Sequence, residues 1–192
     1  MLLGAVLGFL GSIPAAGPLA LLIVARAVEG APRRSLALGI GGAIAESLWA
    51  FAASTGVTRL VMGARATLAL RLAAAVVLIV LGLAMLRRPQ ATKEARREGL
   101  DLGVGFLLVA TNPAFLATWI ALSAVAARLS PSFTPTGLAV GAGLGVAGWF
   151  ALVTVVATRF RLDSPRGLEK IRRVSAALVL VGGLLLAFDT LR

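Results

Sequence analysis

The stretch Gly41–Trp49 (GGAIAESLW) recurs one hundred residues later as Gly141–Trp149 (GAGLGVAGW), with glycine and tryptophan at the same separation. A second match accompanies it, because Gly8-Phe9-Leu10 recurs as Gly105-Phe106-Leu107, in each case shortly before a proline. The chain therefore contains two related copies of one sequence pattern.

Each copy contains three long apolar stretches, which predict an all-α integral membrane protein. A helix rises about 1.5 Å per residue, so each stretch can cross a hydrocarbon core of about 30 Å. The six predicted spans are 2–26, 35–56, 68–86, 103–126, 135–157 and 173–190. An odd number of spans per copy turns the second copy upside down, which is the inverted-repeat plan of many secondary transporters. We predict six transmembrane helices as two inverted three-helix repeats in one domain over 1–192, with repeat one at 1–86, a basic loop at 87–102 and repeat two at 103–192.

The composition supports a membrane domain and excludes several kinds of site. Hydrophobic residues make up 59% of the chain, and charged residues only 14%, against roughly 25% in an ordinary soluble domain. The chain has no cysteine and no histidine, so zinc sites, iron–sulfur sites and thiol nucleophiles lack their usual residues. We predict no metal, no cofactor and no catalytic residue.

The basic residues predict an orientation. Net charge is +11, but the charges lie in short loops between apolar spans, so we predict a membrane-orientation signal and no nucleic-acid partner. With six spans, fourteen Lys and Arg residues lie on the side of the loops that follow spans 1, 3 and 5, and five lie on the other side. The positive-inside rule places the fourteen in the cytoplasm. We therefore expect a multi-pass protein of the cell (inner) membrane with both termini on the non-cytoplasmic side.

Two predicted spans contain helix breakers at corresponding places. Span 1 contains Pro14, Gly17 and Pro18, and span 4 contains Asn112-Pro113. Proline removes a backbone N–H, and in lipid the freed carbonyls must find partners inside the protein or beside a wet cavity. Packing kinks would explain either break alone, but paired breaks in an inverted repeat favour a substrate-binding site. We predict that both helices are interrupted and face one another, with these five residues lining the site.

Glu46 is the only acid deep within any predicted span. An ionisable side chain at bilayer depth costs about 3 kcal/mol on insertion scales, and such residues usually face the interior and mark a pathway. Its neighbours on the same helical face are small except for Trp49, so either another helix packs closely there or the face lines a cavity. Glu46 is thus either a protonated, hydrogen-bonded structural residue or a partner for a substrate amine or a proton.

Small residues also follow one face of span 5. The glycines lie at i, i+4, i+8 and i+11, which lets another helix approach backbone to backbone; they are Gly137, Gly141, Gly145 and Gly148. The stripe predicts either packing within the chain or the seam of a homodimer.

At these residues the chain resembles the LysE/RhtB (L-lysine exporter) family of amino-acid efflux transporters. The matching segments, in chain order, are Gly17-Pro18, Arg26, Gly30, Arg33-Arg34, Gly39-Ile40-Gly41, Gly105-Phe106 and Asn112-Pro113. The chain departs from the family at Pro14-Ala15-Ala16, where Pro-Gly-Pro is frequent, at Ala45, where glycine is frequent, and at Ala114, where lysine is common. These departures bear on the substrate more than on the fold.

The resemblance implies six spans, export of small amino acids or related metabolites, and drive by the proton gradient. The predicted function is therefore a secondary transporter that exports such compounds across the cytoplasmic membrane, with a small-molecule substrate and the lipid bilayer as partners. Two alternatives remain: a non-transporting assembly or scaffold subunit, and a membrane-embedded enzyme. An enzyme would need a nucleophile, a base or a set of metal ligands, and a single acid without histidine or cysteine is poor material for these roles.

Overall fold

The structure is a computed structural model that describes residues 1–13, 18–56, 94–130, 134–159 and 165–191, together with positions 68–69, 72–73, 75–76, 78–80 and 83. Regular secondary structure in these residues is helical throughout, as predicted. The helices are α1 (Leu2–Ser12), α2 (Pro18–Val28), α3 (Pro32–Thr55), α4 (Glu94–Ala110), α5 (Pro113–Leu129), α6 (Pro135–Arg159) and α7 (Pro165–Leu191).

Proline and glycine set many of the helix ends. Proline is the first residue of α2, α3, α5, α6 and α7, where its missing N–H would have had no helical partner and its fixed φ suits a helix start. Helix α3 ends at Thr55 and is capped by Gly56, whose φ of 75° lies in the left-handed region that glycine adopts without strain. Residues 94–102, within the predicted basic loop, are helical, because their glutamates, alanine and arginines are good helix formers.

Helices α3 and α6 form the centre of the bundle and run antiparallel. The hydroxyl oxygens of Ser35 and Thr154 lie 2.8 Å apart, near the start of α3 and the end of α6. Further along α3, Ser47 donates to the carbonyl oxygen of Ala139, near the start of α6, at 2.7 Å. We call the end of the bundle where α3 begins the Pro32 end. The opposite end, where α6 begins, is the Met1 end.

Helices α1 and α4 each occupy one half of the bundle, in opposite halves. Helix α1 runs parallel to α6, since Gly4 packs against Leu138 and Gly145 packs against Ala5. Helix α4 runs parallel to α3, since Asp101 pairs with Arg34 near the start of α3, and Val109, further along α4, accepts a hydrogen bond from Trp49, further along α3. Met1 therefore lies at the end where α6 begins, and Glu94 lies at the end where α3 begins.

Helices α2 and α5 complete the crossing that α1 and α4 begin. The carbonyl oxygen of Ile23 in α2 accepts a hydrogen bond from Ser35 at 2.8 Å, which places α2 toward the Pro32 end. Ala126 of α5 belongs to a buried apolar cluster with Leu138, which places α5 toward the Met1 end. The pairs α1/α2 and α4/α5 therefore each extend between the two ends of the bundle, and the second pair bends by 68° at its break.

Among the described residues, two helices, α3 and α6, are individually long and apolar enough to cross a membrane, and the bent pair α4/α5 adds a third if it is counted as one span. The predicted span 2–26 is divided between α1 and α2, and most of the predicted span 68–86 lies outside the described residues. Large apolar side chains cover the outside of the bundle, among them Leu144 and Leu185, which are 61% and 63% exposed. A surface of this kind suits contact with lipid.

Candidate functional site

The break between α4 and α5 follows from one missing N–H. Val109 lies four residues before Pro113, which has no N–H, so the carbonyl oxygen of Val109 loses its ordinary helical donor. Two other groups donate to this oxygen: the backbone N–H of Asn112 at 3.1 Å and the indole Nε1–H of Trp49 at 3.2 Å. The predicted interruption of this helix is confirmed, and the freed carbonyl accepts a hydrogen bond from Trp49, which lies in the other predicted repeat.

Asn112 forms the N-cap of α5, which begins at Pro113. Its side-chain oxygen accepts a hydrogen bond from the backbone N–H of Ala114 at 3.0 Å. A capping bond of this kind is typically worth about 1 kcal/mol. The side-chain oxygen of Asn112 is thus engaged in starting the helix, whereas the structure records no partner for its amide NH₂ among the described residues.

The first break lies between α1, which ends at Ser12, and α2, which begins at Pro18. Pro14 and Gly17, two of the predicted site residues, lie outside the described residues. The residue after Pro18, Leu19, packs against Gly42 of α3. A Cβ atom at Gly42 would lie 2.6 Å from Leu19 Cδ2 and 3.5 Å from Val109 Cγ2. The start of α2 and the end of α4 therefore meet on one face of α3.

Glu46 lies one helical turn beyond Gly42 on that face. Its carboxylate oxygen Oε2 accepts a hydrogen bond from the indole Nε1–H of Trp119 at 3.2 Å. Both side chains are buried, with Glu46 5% and Trp119 1% exposed. The structure thus brings Glu46 to the level of both breaks and ties it to α5.

The small residues around Glu46 serve close helix packing, which was one of the two predicted outcomes. A Cβ atom at Gly39 would lie 2.7 Å from Cβ of Phe150 in α6, and Ala43 and Ala50 are buried. The other predicted outcome applies in part, because Gly39 also lines a cavity of about 310 Å³ between α3 and α6, whose apolar lining includes Ile40 and Phe150 but not Glu46. That cavity suits an acyl chain better than a charged solute.

The two tryptophans of the repeated stretch have related positions. Trp49 donates to the carbonyl oxygen at the end of α4, and Trp149 packs edge-on against Phe9 of α1, with ring centroids 5.5 Å apart. Trp49 thus contacts α4, and Trp149 contacts α1, so each lies against the first helix of the other predicted repeat. Sequence analysis missed Trp119, although its indole N–H, six residues after Pro113, is an unusual donor within the apolar α5.

The glycine stripe of α6 is used within the chain. Gly141 and Gly145 pack against the backbone of α1, at Met1 and Ala5. This confirms packing within the chain as the role of the stripe and leaves it unavailable as a dimer seam. A homodimer stays a prediction with no surface assigned to it.

Comparison with known families agrees with these observations. A model of the LysE type translocator family matches residues 12–190, which is nearly the whole chain. The chain belongs to this family. No curated protein and no solved structure gives a significant match.

Membership identifies the protein as a multi-pass membrane transporter, and it confirms the resemblance seen in the sequence. The members of the LysE family are transporters rather than enzymes. No group of three or more acidic residues suited to a metal ion occurs among the described residues.

Proposed function

We propose that this LysE-type translocator is a secondary exporter of amino acids or related small metabolites across the cytoplasmic membrane, driven by the proton gradient. The observation that supports it is the position of Glu46: an acid buried near the middle of α3, beside the ends of two interrupted helices and hydrogen-bonded to Trp119. Charge at this depth costs about 3 kcal/mol. A residue that serves only packing would not need that charge.

The chemistry of the site suits an amino acid. The carboxylate of Glu46 can bind a substrate ammonium group, and the amide NH₂ of Asn112 can donate to a substrate carboxylate. A proton and an ammonium group would compete for the same carboxylate of Glu46. This competition would couple substrate leaving the cell to a proton entering it, because the carboxylate would carry only one of them at a time.

We also propose that the single domain 1–192 has six spans arranged as two inverted repeats. The contacts that support this are paired: α1 packs in parallel on α6 through Gly4 and Gly145, and α4 packs in parallel on α3 through Gly105 and Gly41. Helices α3 and α6 run antiparallel, so the two sets of contacts have opposite directions in the bundle. An inverted repeat would produce this relationship.

The experiment that tests the function is counterflow in proteoliposomes. Purified protein would be reconstituted with an unlabelled amino acid inside, and uptake of the radiolabelled compound would be measured across a panel of amino acids. We expect transient accumulation of at least one compound, and acceleration of its movement by an imposed pH difference. No counterflow for any compound tested, from protein shown to be folded, would favour a scaffold role.

A separate experiment tests orientation. We expect Thr55→Cys, at the Met1 end, to react in intact cells with a membrane-impermeant maleimide. Ala31→Cys, at the Pro32 end, should react only after the membrane is made permeable, because basic residues are retained in the cytoplasm. The chain has no native cysteine, so the unaltered protein is the blank. The reverse labelling pattern would contradict the proposal that the N-terminus lies outside.

A further inference from the structure

Two arginines converge on one aspartate at the Pro32 end. Arg34, in the first turn of α3, donates to both carboxylate oxygens of Asp101 in α4, and the Nη2–Oδ1 distance is 3.2 Å. Arg26, in the last turn of α2, places its Nε 3.8 Å from Asp101 Oδ1. Asp101 is buried, with 6% of its surface exposed, whereas the side chains of Arg26 and Arg34 are 25% and 16% exposed. Water can therefore reach the arginines while the aspartate is enclosed.

The cluster has one buried donor without an acceptor. Arg26 uses Nη1 to bind Glu29 at 3.1 Å, but its Nε is buried and has no hydrogen-bond partner. Such a buried donor is costly to leave unpaired. Asp101 fills the fork of Arg34 and is too distant to satisfy Arg26 as well. The geometry is that of a two-arginine carboxylate site whose present occupant fits only one of the two.

We propose that Arg26 and Arg34 form a carboxylate-binding site at the Pro32 end, which takes the carboxylate of the amino-acid substrate and which Asp101 occupies in the closed state. The inference rests on the proposed function, since it names an entry site for the exported compound. A planar guanidinium group binds a carboxylate through two parallel hydrogen bonds, and a free carboxylate can align with both arginines where the tethered Asp101 cannot.

This site is distinct from the one around Glu46. Arg34 and Glu46 are twelve residues apart on α3, which corresponds to about 18 Å along the helix axis. One small amino acid cannot contact both at once. The substrate would therefore bind first at the arginines and then move to Glu46.

Displacement of Asp101 would also have a structural consequence. Asp101 connects α4 to α3 directly and lies beside Arg26 of α2. Helices α2 and α4 are the two half-helices that reach the Pro32 end. When a substrate carboxylate replaces Asp101, the ion pair between α4 and α3 is lost, and one restraint on opening of the Pro32 end is removed.

The test uses acetate as a probe of the site emptied by Asp101→Ala. The purified variant, in neutral detergent without lipid, would be unfolded thermally in sodium acetate and in sodium chloride at equal ionic strength. We expect acetate to raise the Tm of Asp101→Ala saturably above its value in chloride, because a ligand that binds only the folded state stabilises it. The wild-type protein should respond less, and Asp101→Ala combined with Arg26→Gln and Arg34→Gln should lose the response.

Further arms make the result decisive. Asp101→Asn, which keeps the shape of the side chain, replaces Asp101→Ala if the latter does not fold. Inorganic phosphate tests for a lipid headgroup: stabilisation by phosphate and not by acetate would overturn the proposal, as would equal Tm values in acetate and chloride. Acetate binding without counterflow of any amino acid would contradict the exporter function and still support the carboxylate site. Counterflow without acetate binding would contradict the carboxylate site and still support the exporter function.

Discussion

Glu46→Gln is expected to abolish proton-coupled export while leaving the protein folded. Glutamine keeps the shape of glutamate, and its side-chain oxygen can still accept the hydrogen bond from Trp119. It cannot carry a negative charge or exchange a proton. A hydrogen bond to a charged group is worth about 1.5–3 kcal/mol, so loss of the contact with a substrate ammonium group should lower export roughly ten- to a hundredfold.

The measurement is export from proteoliposomes at several imposed pH differences, with thermal unfolding as the check of folding. The unfolding temperature of Glu46→Gln should stay close to that of the unaltered protein, since an amide is no more costly than a carboxylate at this depth. Any residual export should have lost its dependence on pH. Asp189→Asn is the matched control, because it makes the same chemical change at an exposed position of α7.

The structural alternative predicts a different outcome. If Glu46 only completes a buried hydrogen bond, then Glu46→Gln should be silent, and Glu46→Leu should be tolerated or even stabilising, because replacing a buried polar group by an apolar one of similar size can be neutral. Normal export by both folded variants would end the functional assignment of Glu46 and leave it as a packing residue.

The interruption of α4/α5 could be predicted from the sequence because its cause is local. Pro113 removes one N–H and thereby frees the carbonyl oxygen of Val109 four residues earlier. The group that satisfies this oxygen could not be predicted, because Trp49 is 60 residues away in the chain. Trp119 is likewise 73 residues from Glu46. Such pairs depend on which helix faces which, and the apolar pattern of a membrane helix does not specify that.

The charged cluster shows the same limit. In the sequence, Arg26 and Arg34 are basic residues near the ends of spans, and their expected role is orientation in the membrane. Their convergence on Asp101 depends on α4 beginning at Glu94 and running alongside α3. The sequence pattern predicted a loop over 87–102, because the charged residues there separate two apolar stretches. The structural role of Asp101 therefore had no signal in the sequence pattern.

The repeat illustrates a subtler limit. Sequence identity aligns Gly41 with Gly141. The contacts instead align Gly41, which packs against Leu102 of α4, with Gly145, which packs against the corresponding residue Ala5 of α1. The two alignments differ by four residues, about one helical turn. Glycines spaced by four present nearly the same surface after such a shift. The sequence therefore identified the packing face, and only the three-dimensional contacts show its register.

Gly105→Ala is expected to destabilise the protein strongly, and Gly103→Ala, two residues earlier in α4, is expected to be neutral or stabilising. A Cβ atom at Gly105 would collide with the backbone carbonyl of Leu38 in α3, which cannot rotate away, whereas a Cβ atom at Gly103 would meet nothing within 4 Å. Alanine in a helix interior is favoured over glycine by about 0.8–1 kcal/mol. At Gly105 this gain competes with separation of α3 from α4, and overpacking of this kind costs about 1–3 kcal/mol or more.

The comparison isolates the packing effect because both changes add one methyl group to the same helix. Thermal unfolding of the two purified variants in one detergent should place Gly105→Ala below the unaltered protein and Gly103→Ala level with it or above it. Since α4 carries Asp101 at its middle and Val109 near its end, separation of α3 from α4 should also lower counterflow activity of the Gly105→Ala protein. Equal unfolding temperatures for the two variants would show that α3 and α4 do not pack backbone to backbone, and the paired contacts that support the inverted repeat would then lose one member.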